Sequence, residues 1–299
     1  MNSPWAIETH GLTKRYGDLE AVHSLNLRVP MGQITGFLGR NGAGKSTTIR
    51  MLLGMIHPTS GTGLMLGKRI EDPDENREMR RNVAYVAEDK QTYAYMTVEQ
   101  MIRFTKSFYS DWQTEVEQRL LKQYQLPWRR KVKALSKGMR TKLALLLALA
   151  RRPALLILDE PSEGLDPVSI EELLHSLVAA ASDGTTVFFS SHQIAEVERI
   201  AERVCIIDHG ALAMDFSLDQ LRQDYRRVTL GFSTQPPQEE FRVRGIERMR
   251  TDGRQITLLV SSNADAVTER ARSLAAVSVD VAPVSLREIF LETVVKDGQ

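Results

Sequence analysis

The residue types that could do chemistry are concentrated in a glycine-rich run at positions 39–47, Gly-Arg-Asn-Gly-Ala-Gly-Lys-Ser-Thr. This run fits the pattern G-x-x-x-x-G-K-[ST], whose glycines let backbone N–H groups wrap a polyphosphate. Lys45 supplies a positive charge for the β- and γ-phosphates, and the Ser46 hydroxyl can ligate Mg²⁺. A helix that starts near Lys45 adds the positive end of its dipole. The predicted phosphate-binding residues are Gly39, Asn41, Gly42, Ala43, Gly44, Lys45, Ser46 and Thr47.

A second acidic element supports this interpretation. The apolar run 154–158 predicts a buried strand, and Asp159 and Glu160 follow at its carboxyl end, where ligands bind in open α/β sheets. Asp159 is predicted to hold the magnesium shell, and Glu160 to orient and polarise the attacking water. Each motif also has a purely structural explanation. The glycine-rich run could be a turn with an accidental Lys-Ser pair, and Asp159 and Glu160 could be two capping acids after a core strand. Each weakens once both motifs occur in one chain.

The elements that must position these residues change character along the chain. Alternating residues at Ala6–His10 and Leu25–Val29 predict half-buried antiparallel strands, and residues from about 89 to 150 read mainly as helix. Strands at 154–158, 186–190 and 204–207 then alternate with helices at 167–181 and 194–203. A smaller mixture of strands and helices follows residue 216. These patterns predict an α/β fold with a mainly parallel sheet, an N-terminal antiparallel β part, a helical subdomain and a small C-terminal α+β appendage.

The bulk composition sets limits on the class of protein. The chain has 299 residues, is 42% hydrophobic and carries a formal net charge of +1, which gives no case for nucleic acid as a partner. The single cysteine, Cys205, lies in an apolar run and is predicted to be buried. The longest apolar run, Leu143–Ala150, is far shorter than the ~20 residues that span a bilayer. We expect no signal peptide and, at a membrane, action through a partner.

Five further motifs follow in a fixed order around the phosphate loop. They are Lys-Arg-Tyr-Gly at 14–17, a strand ending in Glu88 at 83–88, Leu-Ser-Lys-Gly-Met at 135–139, Ser-Glu-Gly-Leu-Asp at 162–166, and Ser-Ser-His at 190–192. Together with the phosphate loop and the Asp-Glu strand, they resemble the ATP-binding cassette family over about residues 5–215. The resemblance implies a P-loop nucleoside triphosphatase core.

The family resemblance implies a role for one residue in each of several motifs. Tyr16 would stack on adenine, and Glu88 would reach Mg²⁺ or water where the family usually has glutamine. Ser136 and Gly138, in the signature motif, would face the γ-phosphate held by the other subunit of a dimer. His192 would contact the γ-phosphate. Taken alone, Tyr16 could be a core aromatic, His192 a structural residue, and the signature motif any capped helix.

The implied site residues are therefore grouped by role. Three are catalytic: Lys45, Glu160 and His192. Three ligate the metal: Ser46, Glu88 and Asp159. The remaining nucleotide-binding positions are Tyr16, Ser136, Gly138 and those of the phosphate loop, and the implied cofactors are ATP and Mg²⁺.

Several positions depart from the usual family pattern. Glu88 replaces glutamine, Lys137 and Met139 replace Gly and Gln in the signature, and Glu163 replaces a small residue in the D-loop, 162–166. These departures resemble nucleotide-binding subunits of the bacterial exporter-type (ABC-2-like) branch, whose membrane subunit is a separate chain.

The implied protein is a Mg²⁺-dependent ATPase that powers transport, with the cassette at 1–215 and an accessory domain at 216–299. Its implied partners are a separate transmembrane permease subunit and a second cassette, in a homodimer or a heterodimer. Its implied location is the cytoplasmic face of a bacterial membrane. We expect the segment between Glu88 and Met101, with Tyr93 and Tyr95, to contact the membrane subunit. The alternatives are a soluble cassette ATPase acting on ribosomes or DNA, and a nucleotide-dependent regulatory module that is not coupled to transport.

Overall fold

The computed structural model describes residues 3–89, 92–241 and 244–294. It divides into two units, Met1–Asp215 and Phe216–Gln299. The first unit carries the phosphate loop and the Asp-Glu strand, and the second unit has an apolar core of its own. The candidate site is therefore built from the first unit.

The strands of the first unit form an antiparallel sheet and a mainly parallel one. In chain order they are β1 (Trp5–Tyr16), β2 (Leu19–Leu25), β3 (Arg28–Pro30), β4 (Ile34–Leu38), β5 (Ser60–Met65), β6 (Lys68–Arg69), β7 (Val83–Val86), β8 (Leu155–Leu158), β9 (Thr186–Ser191), β10 (Arg203–Asp208) and β11 (Ala211–Ser217). The antiparallel sheet has the order β2-β1-β5-β6, with β3 also paired to β1. The other sheet has the order β11-β10-β4-β9-β8-β7.

Helices connect and cover these strands. They are α1 (Lys45–Leu52), α2 (Pro73–Arg81), α3 (Val98–Lys106), α4 (Thr114–Gln123), α5 (Lys137–Leu149), α6 (Pro167–Ser182) and α7 (Ile194–Ile200). The sequence signals for their starts are clear in α6, where Asp166 accepts a hydrogen bond from the backbone N–H of Ser169 (3.0 Å) and Pro167 occupies the first turn. This confirms the predicted start of that helix.

The parallel sheet places the chemistry at one edge. β4 pairs in parallel with β9 and β10, and β8 pairs in parallel with β7 and β9. Every residue of β4 and of β8 is buried, as a sheet covered on both faces requires. Because the carboxyl ends of parallel strands meet at one edge, the segments that follow β4, β7, β8 and β9 are brought together there.

The predicted element boundaries are partly wrong. Residues 89–150 contain α3, α4 and α5 but also long connections, so only part of this stretch is helical. The helix predicted for 194–203 ends at Ile200, because Arg203 already pairs with Thr35 in the sheet. Helix α2 was missed because it is strongly polar and buries little beyond Asn76 and Met79. Cys205 is fully buried, as predicted.

The second unit is a small α+β domain. Its elements are α8 (Leu218–Asp224), β12 (Arg226–Gly231), β13 (Ile246–Asp252), β14 (Gln255–Val260), α9 (Ala264–Ser273), β15 (Ser278–Pro283) and α10 (Leu286–Val294). The strands form an antiparallel sheet in the order β13-β14-β12-β15. Gly253, with a φ of 56°, turns β13 into β14, which confirms the predicted hairpin. Buried Leu230, Leu258 and Val267 contribute to the core between this sheet and α9.

Candidate functional site

The phosphate loop runs between β4 and α1, and its path requires glycines at defined positions. Gly42 and Gly44 have φ values of 83° and 106°. A Cβ at Gly39 would lie 2.6 Å from the backbone oxygen of Ile207, and a Cβ at Gly44 would lie 2.6 Å from that of Ala21. At Gly42, by contrast, a Cβ would meet nothing within 4 Å. The loop is thus packed against the sheet on one side and forms a backbone cradle of the shape that phosphates need.

Lys45, the first residue of α1, is held inside this loop. Its side chain is only 5% exposed. The ammonium group donates to the backbone oxygens of Gly39 (2.7 Å) and Arg40 (3.1 Å), and it lies 3.0 Å from Oε1 of Glu160. A phosphate oxygen entering the loop would find this cation already aimed inward, and it would compete with Glu160 for it.

Asp159 follows β8 and links two neighbouring segments. Its Oδ1 accepts hydrogen bonds from Ser46 Oγ (3.1 Å) and Ser190 Oγ (2.7 Å). Hydroxyl and carboxylate oxygens are the hard ligands that Mg²⁺ prefers, and Mg²⁺ usually takes one or two from protein and the rest from water and phosphates. Ser46 and Asp159 therefore fit a magnesium ion. Nearby, burial and then the Asp159 charge raise the pKa of Tyr85 to about 12, so its hydroxyl stays neutral.

Glu160 and His192 form a second pair at the ends of β8 and β9. Oε2 of Glu160 lies 2.9 Å from Nδ1 of His192, and the Glu160 N–H donates to Ser190 Oγ at 2.9 Å. Glu160 is buried and has a left-handed φ of 44°, an uncommon conformation for a residue with a side chain. Such strain persists where surrounding contacts fix it, and it occurs at functional sites. A carboxylate beside an imidazole can orient and polarise a water.

Most of these groups open onto one cleft of ≈ 440 Å³, but the predicted site residues Gly39, Ala43 and Asp159 do not line it. The predicted site residues that line it are Tyr16, Asn41, Gly42, Gly44, Lys45, Ser46, Thr47, Glu88, Glu160 and His192. Tyr16 is 49% exposed rather than part of the core, and the Lys14 ammonium lies 5.1 Å from its ring centroid. Leu19, Ala21 and Glu163 also line the cleft and were not among the predicted site residues. A single cleft is thus lined by the Tyr16 ring, residues of the phosphate loop, and the Glu160–His192 pair.

Comparison with known proteins decides the family. Residues 22–163 match the family model described as ABC transporter. The chain is 38% identical over 226 residues to the bacitracin transport ATP-binding protein BcrA of Bacillus licheniformis, covering 74% of this chain and 72% of that one. The chain belongs to the ABC transporter family. Its resemblance to nucleotide-binding subunits is thereby confirmed, and it is an ATP-binding and ATP-hydrolysing subunit that powers transport.

Two further comparisons extend this result. The chain is 28% identical over 286 residues to the ABC transporter ATP-binding protein YtrB of Bacillus subtilis, covering 95% of this chain and 97% of that one. A solved ATP-binding subunit of an ABC transporter superposes with a TM-score of 0.66 at 30% identity, covering 73% of this chain and 92% of that one. The predicted fold class, a P-loop core with α/β layers, is therefore confirmed.

The ABC signature motif lies at the start of α5, and none of its residues lines the cleft. Ser136 is the exposed N-cap of this helix, and its Oγ accepts the backbone N–H of Met139 at 3.2 Å. A Cβ at Gly138 would lie 2.6 Å from Oγ and 3.3 Å from Cβ of Ser169, so a side chain there would displace Ser169. Neither Ser136 nor Gly138 lines the cleft. The structure therefore does not bring these two predicted site residues to the phosphate loop of their own chain.

A buried carboxyl group that the sequence analysis missed connects the D-loop to the segment before His192. Glu196 on α7 is 5% exposed, and its Oε2 accepts hydrogen bonds from Ser162 Oγ (2.7 Å) and Ser191 Oγ (3.3 Å). Burial raises the pKa of Glu196, and the Glu160 charge adds to that rise. Its partner Ser162 lies 34 residues away in the chain, so no local pattern marked Glu196.

The described residues contain neither a cluster of metal-ligating side chains nor a helix that could cross a bilayer. Within 3–89, 92–241 and 244–294, no group of three or more His, Cys, Asp or Glu side chains converges as a metal site would. Across the same residues, no helix has the length and apolar character needed to cross a bilayer.

Proposed function

We propose that this ABC subunit is a Mg²⁺-dependent ATPase at the cytoplasmic face of a bacterial membrane, and that it drives export through a separate permease subunit. The observation that carries the proposal is the single cleft lined by Lys45, Ser46 and the Glu160–His192 pair, with Asp159 hydrogen-bonded to Ser46. The relative named for bacitracin transport supports the transport role.

The proposed roles follow from the geometry of the cleft. Tyr16 stacks on adenine with the ring face not covered by Lys14. The N–H groups of residues 39–47 and the Lys45 ammonium bind the β- and γ-phosphates. Ser46, Asp159 and Glu88 hold Mg²⁺, which supplies charge neutralisation on the phosphates.

The remaining two roles concern the chemical step. Glu160 orients and polarises the attacking water, since its carboxylate is fixed between Lys45 and His192. His192 contacts the γ-phosphate from the end of β9. A proton taken from the water can be accepted by Glu160, whose position is set by backbone and side-chain contacts rather than by the nucleotide.

Two copies of the chain are proposed to pair head to tail. Ser136 and Gly138 lie outside their own cleft, so the signature helix can present its N-terminus to the γ-phosphate of a second copy. Binding of ATP then favours the closed pair because the γ-phosphate touches both copies. Hydrolysis and phosphate release remove that link and let the pair open.

The membrane subunit is proposed to dock beside the cleft. A groove of ≈ 570 Å³ is lined by Glu88, Met101 and Arg151 among others, and Glu88 also lines the nucleotide cleft. An exposed aromatic patch adjoins it along the chain: Tyr93 contacts Tyr95 and Phe104, and Phe104 contacts Phe108. Exposed aromatic clusters of this kind favour protein contacts. Positions 90 and 91 of the predicted contact segment lie outside the described residues.

Docking is tested by replacing Tyr93 and Tyr95 with alanine. The ATPase rate should persist while transport by the assembled complex falls, because nucleotide chemistry and coupling use different residues. Leu291→Ala, an exposed apolar change in the second unit, is the control. Unchanged transport in the double variant would remove this surface from the proposal.

Pairing is tested by light scattering of the Glu160→Gln variant with and without MgATP. The expected result is a shift from the chain mass of 33.7 kDa to twice that value on nucleotide addition, because ATP is bound but not consumed. A mass that stays at one chain, with ATP binding confirmed, would contradict self-pairing in solution and favour a different partner cassette.

A further inference from the structure

Glu163, in the D-loop, is an acidic residue that the proposed reaction does not use. Its carboxylate lines the nucleotide cleft and lies 3.7 Å from Nε2 of His192. The opposite ring nitrogen, Nδ1, lies 2.9 Å from Glu160. The imidazole is therefore flanked by a carboxylate on each side. One of them, Glu160, is buried, while the Glu163 side chain is 43% exposed.

The backbone that carries Glu163 is fixed by contacts on both sides. The Glu163 N–H donates to the backbone oxygen of Glu160 at 3.2 Å. The preceding residue, Ser162, is tied to the buried carboxyl group of Glu196. The following residue, Gly164, has a left-handed φ of 65°, and the Lys137 side chain packs where its Cβ would lie. Since the main chain is set by these contacts, the placement of Glu163 next to His192 does not depend on a mobile loop.

The negative charge of Glu163 affects phosphate binding because this side chain lines the cleft next to His192. Among the described residues that line the cleft, Lys45 is the one formal cation, whereas Glu88, Glu160 and Glu163 are carboxylates. A terminal phosphate that approaches Nε2 of His192 meets Glu163 both as a competitor for that nitrogen and as a like charge. A diphosphate, which lacks the terminal group, does not meet this competition.

We propose that Glu163 competes with the terminal phosphate of the nucleotide for His192, and so lowers the affinity of the site for the triphosphate relative to the diphosphate. This inference rests on the proposed function, in which His192 contacts the γ-phosphate. Triphosphate binding requires the Glu163 side chain to leave His192, and loss of the terminal phosphate lets it return. Glu163 thereby acts as a positioning residue for His192 and weakens the contact between His192 and the terminal phosphate, which favours phosphate release after hydrolysis.

The test measures binding of Mg²⁺ complexes by calorimetry, with the β,γ-imido analogue of ATP and with ADP as probes. Glu163→Gln keeps the shape of the side chain and removes its charge. It should tighten binding of the analogue by about fivefold, the scale of one partly exposed charge contact, and leave ADP within about twofold. In a His192→Ala background the same change should tighten binding of the analogue by about twofold or less, because the competition for the imidazole is gone and only the like-charge repulsion remains.

Three results would overturn the inference. They are an equal gain for the analogue and ADP, no gain for either, and a gain that persists in full without His192. Thermal unfolding of Glu163→Gln, expected to match the native chain, shows that the comparison is between folded proteins. Failure of the proposed function looks different: if His192 does not contact the γ-phosphate, His192→Ala by itself leaves binding of the analogue unchanged.

Discussion

The phosphate-loop side and the signature side of this chain are built in opposite ways. On the phosphate-loop side, Lys45, the adjacent pair Asp159 and Glu160, and His192 come from three segments, and they are joined to one another or to Ser46 and Ser190 by contacts of 2.7–3.1 Å. On the signature side, Ser136 caps its own helix and is otherwise exposed. The phosphate-loop side is held by contacts within the chain, whereas the signature side exposes a helix N-terminus that a ligand or a second chain can contact.

The difference teaches which half can act alone. A preorganised cleft can bind a nucleotide in the single chain. Its charged groups are already in place, so little conformational entropy is lost when the nucleotide binds. A lone helix N-terminus at the surface contributes only when an anion is brought to it. Binding is therefore expected of the single chain, and turnover of the pair.

The largest expected effect comes from the phosphate-loop side. Glu160→Gln should lower the ATPase rate by about 10²- to 10⁴-fold, the usual contribution of a positioned general base, while MgATP binding persists. Single-turnover hydrolysis and equilibrium binding measure the two quantities separately. Hydrolysis at the native rate would mean that another residue handles the water.

The second prediction joins both halves in one experiment. Lys45→Ala should abolish tight MgATP binding, because the ammonium that faces the phosphates is lost. Ser136→Asp should stop hydrolysis but not binding, because aspartate still caps the helix and places a negative charge against the incoming phosphate. An equal mixture of these two inactive variants should recover about a quarter of the native ATPase rate, if chains pair at random and half of the pairs then hold one intact site.

Ser136→Asn is the matched control for this mixture, since asparagine caps as well as aspartate without the charge. It should retain most of the activity by itself. A mixture that stays inactive, at concentrations where Glu160→Gln pairs form, would count against shared sites that work independently of each other.

A smaller effect concerns the adenine end of the cleft. Tyr16→Ala should weaken ATP binding by about 1–3 kcal/mol, the range for a base stacked on an aromatic side chain. Tyr16→Trp should preserve it. Equilibrium binding of ATP to the single chain is the measurement, and an unchanged Kd in the alanine variant would mean that Tyr16 does not touch the base.

The smallest effect is expected behind the cleft, at Glu196. Its pKa is raised above 4.5 in the folded protein, so the native chain loses stability as pH rises through that raised value and the carboxyl group must ionise while buried. Glu196→Gln removes this penalty, so its advantage in melting temperature over the native chain should be larger at pH 8 than at pH 5. The exposed Glu198→Gln on the same helix is the control. An advantage that does not change with pH would show that Glu196 is not the titrating group.

The motifs of this chain were predictable because each is local. The phosphate loop and the Asp159–Glu160 pair each lie within ten residues, and the chemistry of a polyphosphate dictates their composition. The parallel strands were equally visible as unbroken apolar runs.

The rest could not be read from the sequence, because it depends on contacts between distant segments. The pairing of Lys45 with Glu160, and of Ser162 with Glu196, joins residues that are far apart in the chain. Helix α2 escaped prediction for a different reason: its polar residues give almost no apolar stripe to detect.

The position of Ser136 outside its own cleft also has a consequence for gene dosage. In a head-to-tail pair, each Ser136→Asp copy inactivates the nucleotide site that contains the phosphate loop of its partner. If the sites work independently, an equal dose of native and variant copies leaves about half of the activity, whereas a requirement for both sites leaves about a quarter. The curve of activity against the proportion of variant copies would therefore count how many intact sites one transport cycle consumes.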